Sequence, residues 1–433
     1  MDAMNTNIGI DTVNIRPGVS ILSVLRHLNY KPWFAIAEFV DNSIQSYIDS
    51  RERLLQVDGD HSRLLVEIEL ESASSPRIVI RDNAGGIAES SYRRAFRPAE
   101  IPTDRSGLCE FGMGMKSAAC WFSPRWSVRS SALGENVERL VSFEIEKIVQ
   151  DNIQELTVNS IPAYDEHHYT EIILTDLYQP PQKKTVSKIK DHLTSIYRVF
   201  LRDGTLEIRF NGELLEFISP SVLTTPYYRT PEAPSIRWYK ELQLDLGCGL
   251  SAHGFAALRA VGSTSEAGFA LFRRNRLIQG SADEGYRPEY IFGKGNSFTY
   301  QRLFGELTLE GFEVSHTKDG FRWEENEEAF LQLLREELDR EPIRLLSQAE
   351  GHRARKTADE HKSSGVDQAT ERTARAIEDR LPPVVEKQLQ VGPELQPPPE
   401  ILETTELIAK RDFDIEYNVP QKLDSALRWF PIW

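Results

Sequence analysis

The stretch PWFAIAEFVDNSIQSYIDS (residues 32–50) has the apolar period of an α-helix, with Ile36, Val40 and Ile44 on one stripe. Glu38 and Asn42 stand four positions apart, so they share a different face of the same helix. An amide oxygen can bind a hard cation such as Mg²⁺, and a neighbouring carboxylate can take a proton from water. The pair indicates a magnesium–nucleotide site, although an ordinary polar helix face has the same pattern.

A second informative segment is IRDNAGGI (residues 80–87), in which Asp82 ends a predicted strand and enters a glycine turn. A carboxylate at this place can accept a hydrogen bond from an exocyclic amine such as that of adenine. The glycines let a base approach the backbone closely. A simple turn without a ligand is the alternative interpretation.

The third segment, GLCEFGMGMKSAA (residues 107–119), has closely spaced glycines before Lys116 and an apolar helical run. Backbone amides at the start of a helix favour phosphate, and a lysine adds positive charge. The segment lacks the GxxxxGK[ST] pattern of a P-loop. A flexible loop that caps a helix is the competing interpretation.

Alternating apolar residues predict strands around these segments, at residues 64–70, 76–86, 140–148 and 170–177. A helix packed on a largely antiparallel sheet follows. After the break YQPPQKK (residues 178–184), a second unit is expected. Its predicted elements are a helix at 185–201, a hairpin at 206–217 with its turn at Asn211-Gly212, a strand at 268–278 and an amphipathic helix at 325–348.

Composition limits the classes of protein that the chain can represent. The formal net charge is −15, so contact with DNA would need a local patch or a partner protein. No run of about 18 apolar residues predicts a membrane span, and the first residues lack the pattern of a signal peptide. Three cysteines without a CxxC pair argue against a disulfide framework or a zinc site. The simplest expectation is a cytoplasmic protein.

The three segments, in this order and spacing, resemble the motifs of the GHKL ATPases (gyrase, heat-shock chaperone, histidine kinase, MutL). FAIAEFVDN is similar to the family's ExxxN motif, RDNAGG to DxGxG, and EFGMGMKS to GxxGxG; TEIIL (residues 170–174) is similar to the fourth motif. FRRNRLIQG (residues 272–280) and EVSHTKDGF (residues 313–321) resemble the transducer domain of MutL and of the microrchidia (MORC) branch. The resemblance extends over roughly residues 15–340.

The resemblance implies an α+β fold in four parts. A Bergerat-type GHKL sandwich, with helices on a mixed, mainly antiparallel sheet, would occupy residues 1–180. A β-α-β transducer domain would follow at 181–348. A charged segment at 349–400, either helical or disordered, and an aromatic C-terminal segment at 401–433 would complete the chain.

The resemblance also assigns roles to individual residues. Glu38 would be the general base for the attacking water, Asn42 would bind Mg²⁺, and Lys318 would reach the γ-phosphate of ATP from the transducer domain. Outside the family context, the Lys318 segment is only a surface turn. The nucleotide itself would be bound by Asp82, Gly86, Gly112, Gly114, Lys116 and Thr170, of which Asp82 and Thr170 would hold adenine.

Two positions depart from the family's motifs. Ala84 replaces the first glycine of DxGxG, and Cys109 stands where the third motif begins with glycine. Residues 92–107 correspond to the lid that orders over bound ATP. Its arginines are either nucleotide contacts or solvated charges; they are Arg93, Arg94, Arg97 and Arg105.

The expected function is Mg²⁺-dependent binding and slow hydrolysis of ATP that drive closure of a homodimer. By resemblance, such a MORC-like clamp acts on DNA, on a protein client or in genome defence, and it has no membrane partner. The alternatives are a chaperone-like protein, for which the chain is short, and an ATP-dependent scaffold without hydrolysis, against which Glu38 argues. A histidine kinase would need a phosphoacceptor helix pair before Glu38, and the single His27 does not supply one.

Overall fold

A computed structural model of the protein describes residues 18–59, 62–71, 75–98, 100, 102, 104–295 and 297–352. Most of the charged segment expected at 349–400, and all of the aromatic segment expected at 401–433, lie outside the described residues. The described residues up to His352 form one compact unit with two large β-sheets and two small sheets of two strands each. In that part, none of the helices has the length and apolar character needed to cross a bilayer.

Eight strands of the described residues form the first sheet, in the order β5-β4-β3-β6-β2-β1-β7-β8. All neighbours are antiparallel except β1 and β7, which are parallel. The strands are β1 (Leu64–Glu71), β2 (Arg77–Asp82), β3 (Arg125–Ser131), β4 (Val137–Glu144), β5 (Val158–Pro162), β6 (Tyr169–Thr175), β7 (Leu206–Phe210) and β8 (Glu213–Leu214).

The central helix α2 (Pro32–Asp58) begins with proline at its first turn, where the missing N–H costs no hydrogen bond. It contacts β1, and Val40 and Ile44 are fully buried in the same core as Val66 and Ile68 of that strand. The other helices in this half are α1 (Ile21–Val24), α3 (Tyr92–Phe96), α4 (Gly114–Phe122), α5 (Ile145–Gln150), α6 (Lys183–Ile196) and α7 (Arg198–Arg202), with short 3₁₀ turns at Leu25–His27 and Glu89–Ser91. The α+β fold class expected from the sequence is confirmed.

The second sheet has the order β11-β12-β15-β13-β14. Its β13 and β15 are parallel, and along the chain β14, α8 and α9 lie between them. The elements of the second half are β9 (Thr224–Thr225), β10 (Ile236–Arg237), β11 (Tyr239–Gly247), β12 (Leu250–Leu258), β13 (Gly268–Arg273), β14 (Arg276–Gln279), α8 (Glu289–Phe292), α9 (Phe298–Arg302), β15 (Leu303–Glu310), β16 (Glu313–Val314), β17 (Phe321–Arg322), α10 (Asn326–Leu338) and α11 (Leu345–Gly351).

Several predicted elements are shorter than expected, and the helix predicted at 185–201 is two helices, α6 and α7. The strand predicted at 140–148 ends at Glu144, and α5 follows because Ile145 and Ile148 bury at helical rather than strand spacing. The strand predicted at 268–278 is a hairpin whose turn residues, Arg274 and Asn275, both have positive φ. The helix predicted at 325–348 is two helices, since Pro342 lies between them and cannot continue an α-helix.

The break expected at residue 180 does not separate the two sheets. Residues after it form α6, α7, β7 and β8, and β7 pairs with β1. The Asn211-Gly212 turn of this hairpin has positive φ at both positions, as predicted. The core of the first sheet includes Leu215 after β7, and it also contains Ala270, Phe272 and Leu277 from the second sheet.

Candidate functional site

A cavity of about 290 Å³ lies beside α2, β2, β6 and the start of α4. The structure brings all nine candidate site residues to its lining, although they come from distant parts of the chain. They are Glu38, Asn42, Asp82, Gly86, Gly112, Gly114, Lys116, Thr170 and Lys318. The contacts at each end of the cavity indicate which role each of these residues can have.

At one end of the cavity, the Asp82 carboxylate is buried at the end of β2. Its Oδ2 accepts a hydrogen bond from the Ser43 hydroxyl at 2.7 Å, and its Oδ1 accepts from the backbone N–H groups of Ala84 and Thr170 at 3.0 and 3.2 Å. Burial raises the pKa of this carboxyl, and these hydrogen bonds oppose the rise. A carboxylate has about four acceptor positions, so one is left for a donor in the cavity.

Gly86 lies close to the same end. Its φ is +71°, and a Cβ there would stand 2.0 Å from the carbonyl oxygen of Ser131. Only glycine fits this backbone. The hydroxyl of Thr170 lies 3.2 Å from that of Ser130, within hydrogen-bonding distance. The residues expected at an adenine pocket are thus adjacent.

At the other end, the glycine-rich loop leads into α4, and Gly112 has a φ of +64°. A Cβ on Gly114 would lie 2.0 Å from Oε2 of Glu38, so this glycine allows the loop to pass directly over the carboxylate. Lys116 is buried and donates to the carbonyl oxygens of Arg94 and Ala95 at 3.3 and 2.8 Å. Burial, with repulsion from Arg94, lowers the pKa of Lys116 to about 8.

Glu38 is buried on α2 and faces two charged residues. Its Oε2 lies 3.1 Å from Nζ of Lys318, which also lies 2.6 Å from Oδ2 of Asp41. The other oxygen of Glu38, Oε1, is buried without a hydrogen-bond partner. Burial raises the pKa of Glu38, against the opposing effect of Lys318. The orphan Oε1 is an acceptor that a water molecule can fill.

Three residues next to the site were not singled out from the sequence. Asp41 is fully buried next to Asn42, and it binds Arg276, whose Nε lies 2.9 Å from both of its carboxylate oxygens. The Tyr197 hydroxyl also donates to Asp41, at 2.7 Å. Asp41 lies inside the ExxxN motif and Arg276 inside the transducer-like segment, so their positions within these motifs could have marked them as site residues. No sequence pattern pointed to Tyr197.

Asn42 was assigned to Mg²⁺ by resemblance, and its contacts fit that role. Its Nδ2 donates to the carbonyl oxygen of Glu38 at 2.6 Å, which leaves the amide oxygen as the acceptor. The Cys109 thiol donates to this Oδ1 at 3.0 Å. The amide oxygen of Asn42 is a hard ligand of the type that Mg²⁺ prefers. Burial raises the pKa of Cys109 to about 12, so the thiol stays protonated and can donate.

The arginines of the expected lid differ in their surroundings. Arg94 lines the cavity. Arg93 and Arg97 lie 3.7 and 3.6 Å from the Glu100 carboxylate in exposed ion pairs, and such pairs contribute little to stability.

One family model matches the chain, over residues 30–173, and it describes histidine kinase-, DNA gyrase B- and HSP90-like ATPases. The match covers Glu38, Asn42, Asp82, Lys116 and Thr170. It supports a GHKL ATPase domain, and with it the binding of ATP, in this part of the chain. None of the curated proteins compared with the chain matches it.

Proposed function

We propose that the protein hydrolyses ATP slowly with Mg²⁺ and closes into a homodimer when ATP is bound, as a MORC-like clamp. The observation that carries the proposal is the single cavity in which Glu38, with its orphan Oε1, lies between the glycine-rich loop and Lys318. The MORC branch itself rests on the resemblance of the motifs.

Recognition of adenine would follow from the fixed Asp82 carboxylate at one end of the cavity. Ser43 and two backbone amides occupy most of the acceptor positions of Asp82. The remaining position is an acceptor, which fits the exocyclic amine of adenine and not the carbonyl that guanine has at the same place. Gly86 gives the base room to approach.

Hydrolysis requires a base next to the terminal phosphate. Glu38 can hold a water through Oε1 and take its proton during attack on the γ-phosphate. Gly112 and Gly114 present backbone to the phosphates at the start of α4, and Lys116 adds a cation. Lys318 can neutralise the negative charge that develops on the transferred group. Mg²⁺, when bound to Asn42, supplies further charge neutralisation at the phosphates.

Closure of a dimer would link this chemistry to a client. Lys318 belongs to the second half of the chain, so its contact with a phosphate would bias the position of that half. Two identical subunits that close in this way would form a two-fold dimer. DNA or a protein would be the client, in a role such as genome defence.

Light scattering on the full chain tests this proposal. We expect a monomer without nucleotide or with ADP, and a dimer with the non-hydrolysable imido analogue of ATP. Release of phosphate from ATP should be slow and should require Mg²⁺. A dimer with the analogue together with no release of phosphate from ATP would favour the ATP-dependent scaffold, and a monomer in all states would contradict the clamp. Repetition with duplex DNA shows whether DNA is a client.

A further inference from the structure

Arg276, at the start of β14, joins the two halves of the candidate site. Its side chain is buried, and its Nε lies 2.9 Å from both carboxylate oxygens of Asp41 on α2. Its Nη1 donates to the backbone carbonyl of Lys318 at 3.1 Å. The guanidinium of Arg276 therefore contacts both the carboxylate of Asp41 and the backbone of Lys318.

The buried charges balance only when Arg276 is included. Two carboxylates, Glu38 and Asp41, face two cations, Arg276 and Lys318. Without Arg276, Lys318 would be the only cation for two buried acids, and it would be held between them more strongly. An ammonium held in that way is less available to a phosphate in the cavity.

The backbone at Lys318 also depends on this contact. Lys318 has a φ of +52°, in the left-handed region that residues other than glycine rarely adopt. Its N–H donates to the Ser315 carbonyl at 3.0 Å, and its own carbonyl accepts from Arg276. A non-glycine residue persists in this conformation only when its surroundings hold it there.

We propose that Arg276 is a positioning residue of the ATPase site: it neutralises Asp41 and fixes the Lys318 turn, so that the lysine ammonium is free to serve the terminal phosphate. This inference rests on the proposed ATPase function. It concerns a residue that does not reach the phosphates itself and acts through Asp41 and Lys318. The competing interpretation is a buried ion pair that only stabilises the fold.

Three variants separate these two roles. Arg276→Met leaves Lys318 to serve both buried acids, Glu38 and Asp41, and this charge imbalance destabilises a buried site. Arg276→Lys keeps the charge but loses the planar fork that reaches two partners. The double variant Asp41→Asn with Arg276→Met removes both charges together, so the fold should recover much of the stability that the single change loses. Arg259→Met is the matched control, because Arg259 is also buried and paired, with Glu266, away from the cavity.

The experiment measures melting temperature, phosphate release, and the affinities for ADP and for the imido analogue of ATP. We expect kcat to fall about 10–100-fold in Arg276→Met, as for other small displacements of a catalytic group. The affinity for the analogue should fall towards that for ADP. The affinity for ADP itself should change less than about two-fold, because ADP lacks the phosphate that Lys318 would contact. Arg276→Lys should recover part of kcat, and Arg259→Met should keep the wild-type kcat and nucleotide affinities even where its melting temperature falls.

The double variant decides the question. If Arg276 positions Lys318 by fixing its turn, this variant regains melting temperature but not kcat or the preference for the analogue, because removal of the Asp41 charge does not restore the hydrogen bond to the Lys318 carbonyl. Wild-type kcat and preference in a stable double variant would overturn the inference and leave a structural ion pair, while the proposed function would stand. A wild-type protein that binds neither nucleotide would overturn the proposed function, and this inference with it.

Discussion

Nζ of Lys318 lies 3.1 Å from Oε2 of Glu38, although the two residues are 280 positions apart in the chain. Glu38 belongs to the helix under the first sheet, and Lys318 to a turn between two short strands of the second half. Both side chains are buried, so the contact excludes bulk water from the pair. The second half of the chain therefore contributes a buried cation to the site beside Glu38.

Replacement of this lysine should affect ATP and ADP differently. In Lys318→Ala, ADP affinity should barely change, while hydrolysis should fall about 10²-fold or more, because a cation facing the developing charge is lost. Dimerisation induced by the imido analogue should weaken. Calorimetry and light scattering measure these effects, with the exposed Lys294→Ala as control. Equal losses of ADP and ATP affinity would point instead to a structural role of the turn.

Removal of the proposed base should separate binding from turnover. Glu38→Ala should keep ATP binding and lose about 10²–10⁴-fold in kcat, the usual contribution of a general base. Glu52→Ala, an exposed change on the same helix, is the matched control. Phosphate-release rates at saturating ATP check the prediction. A wild-type rate in the Glu38 variant would remove this residue from the mechanism.

A change of a single side-chain atom at Asp82 should alter the preference for adenine over guanine nucleotides. Asp82→Asn replaces an acceptor oxygen by an N–H₂ donor, so the affinity for ATP should fall about 10-fold or more, as for an unsatisfied buried hydrogen bond. Calorimetry with ATP and GTP gives the preference, with the exposed Asp151→Asn as control. If the variant keeps both the affinity and the preference for adenine, Asp82 is only a turn residue.

A methyl group on residue 114 should displace Glu38, the proposed general base. The added Cβ would lie 2.0 Å from Oε2 of Glu38, so the carboxylate or the loop must move. We expect kcat to fall about 10²-fold in Gly114→Ala, as for a misplaced catalytic group. At Gly295 a Cβ meets nothing within 4 Å, so Gly295→Ala should retain wild-type kcat. Equal activities of the two variants would contradict the close approach.

The buried Lys116 should make stability depend on pH in the alkaline range. Burial lowers its pKa to about 8 in the folded chain from an ordinary value of 10.5. Between these values the unfolded chain binds more protons, so this group's contribution to the free energy of unfolding rises with pH. In Lys116→Met, the free energy of unfolding should no longer gain this contribution between pH 8 and 10. Urea unfolding at the two pH values measures it. The exposed Lys184→Met should keep it; an unchanged slope in the Lys116 variant would contradict the lowered pKa.

The local patterns were sufficient for the elements whose signals are local. The apolar stripe of Ile36, Val40 and Ile44 predicted the central helix, and the Asn211-Gly212 pair predicted its hairpin turn, because both depend on neighbours in sequence. The Arg274–Asn275 turn was missed, since neither residue is the glycine that usually marks positive φ. The edge of the first sheet was missed as well, because a parallel pairing of β7 with β1 leaves no local signal.

By itself, the sequence determined the class of the fold, the helix face with Glu38 and Asn42, and nine of the residues that line the cavity. Those signals are periodicity, turn chemistry and motif spacing, which the chain carries locally. Only the tertiary structure decided that Asp41 would pair with both Lys318 and Arg276, and that Tyr197 would complete the site. These partners lie on separate elements, and a buried carboxylate acquires its counter-ions only when packing removes water and brings distant cations within reach.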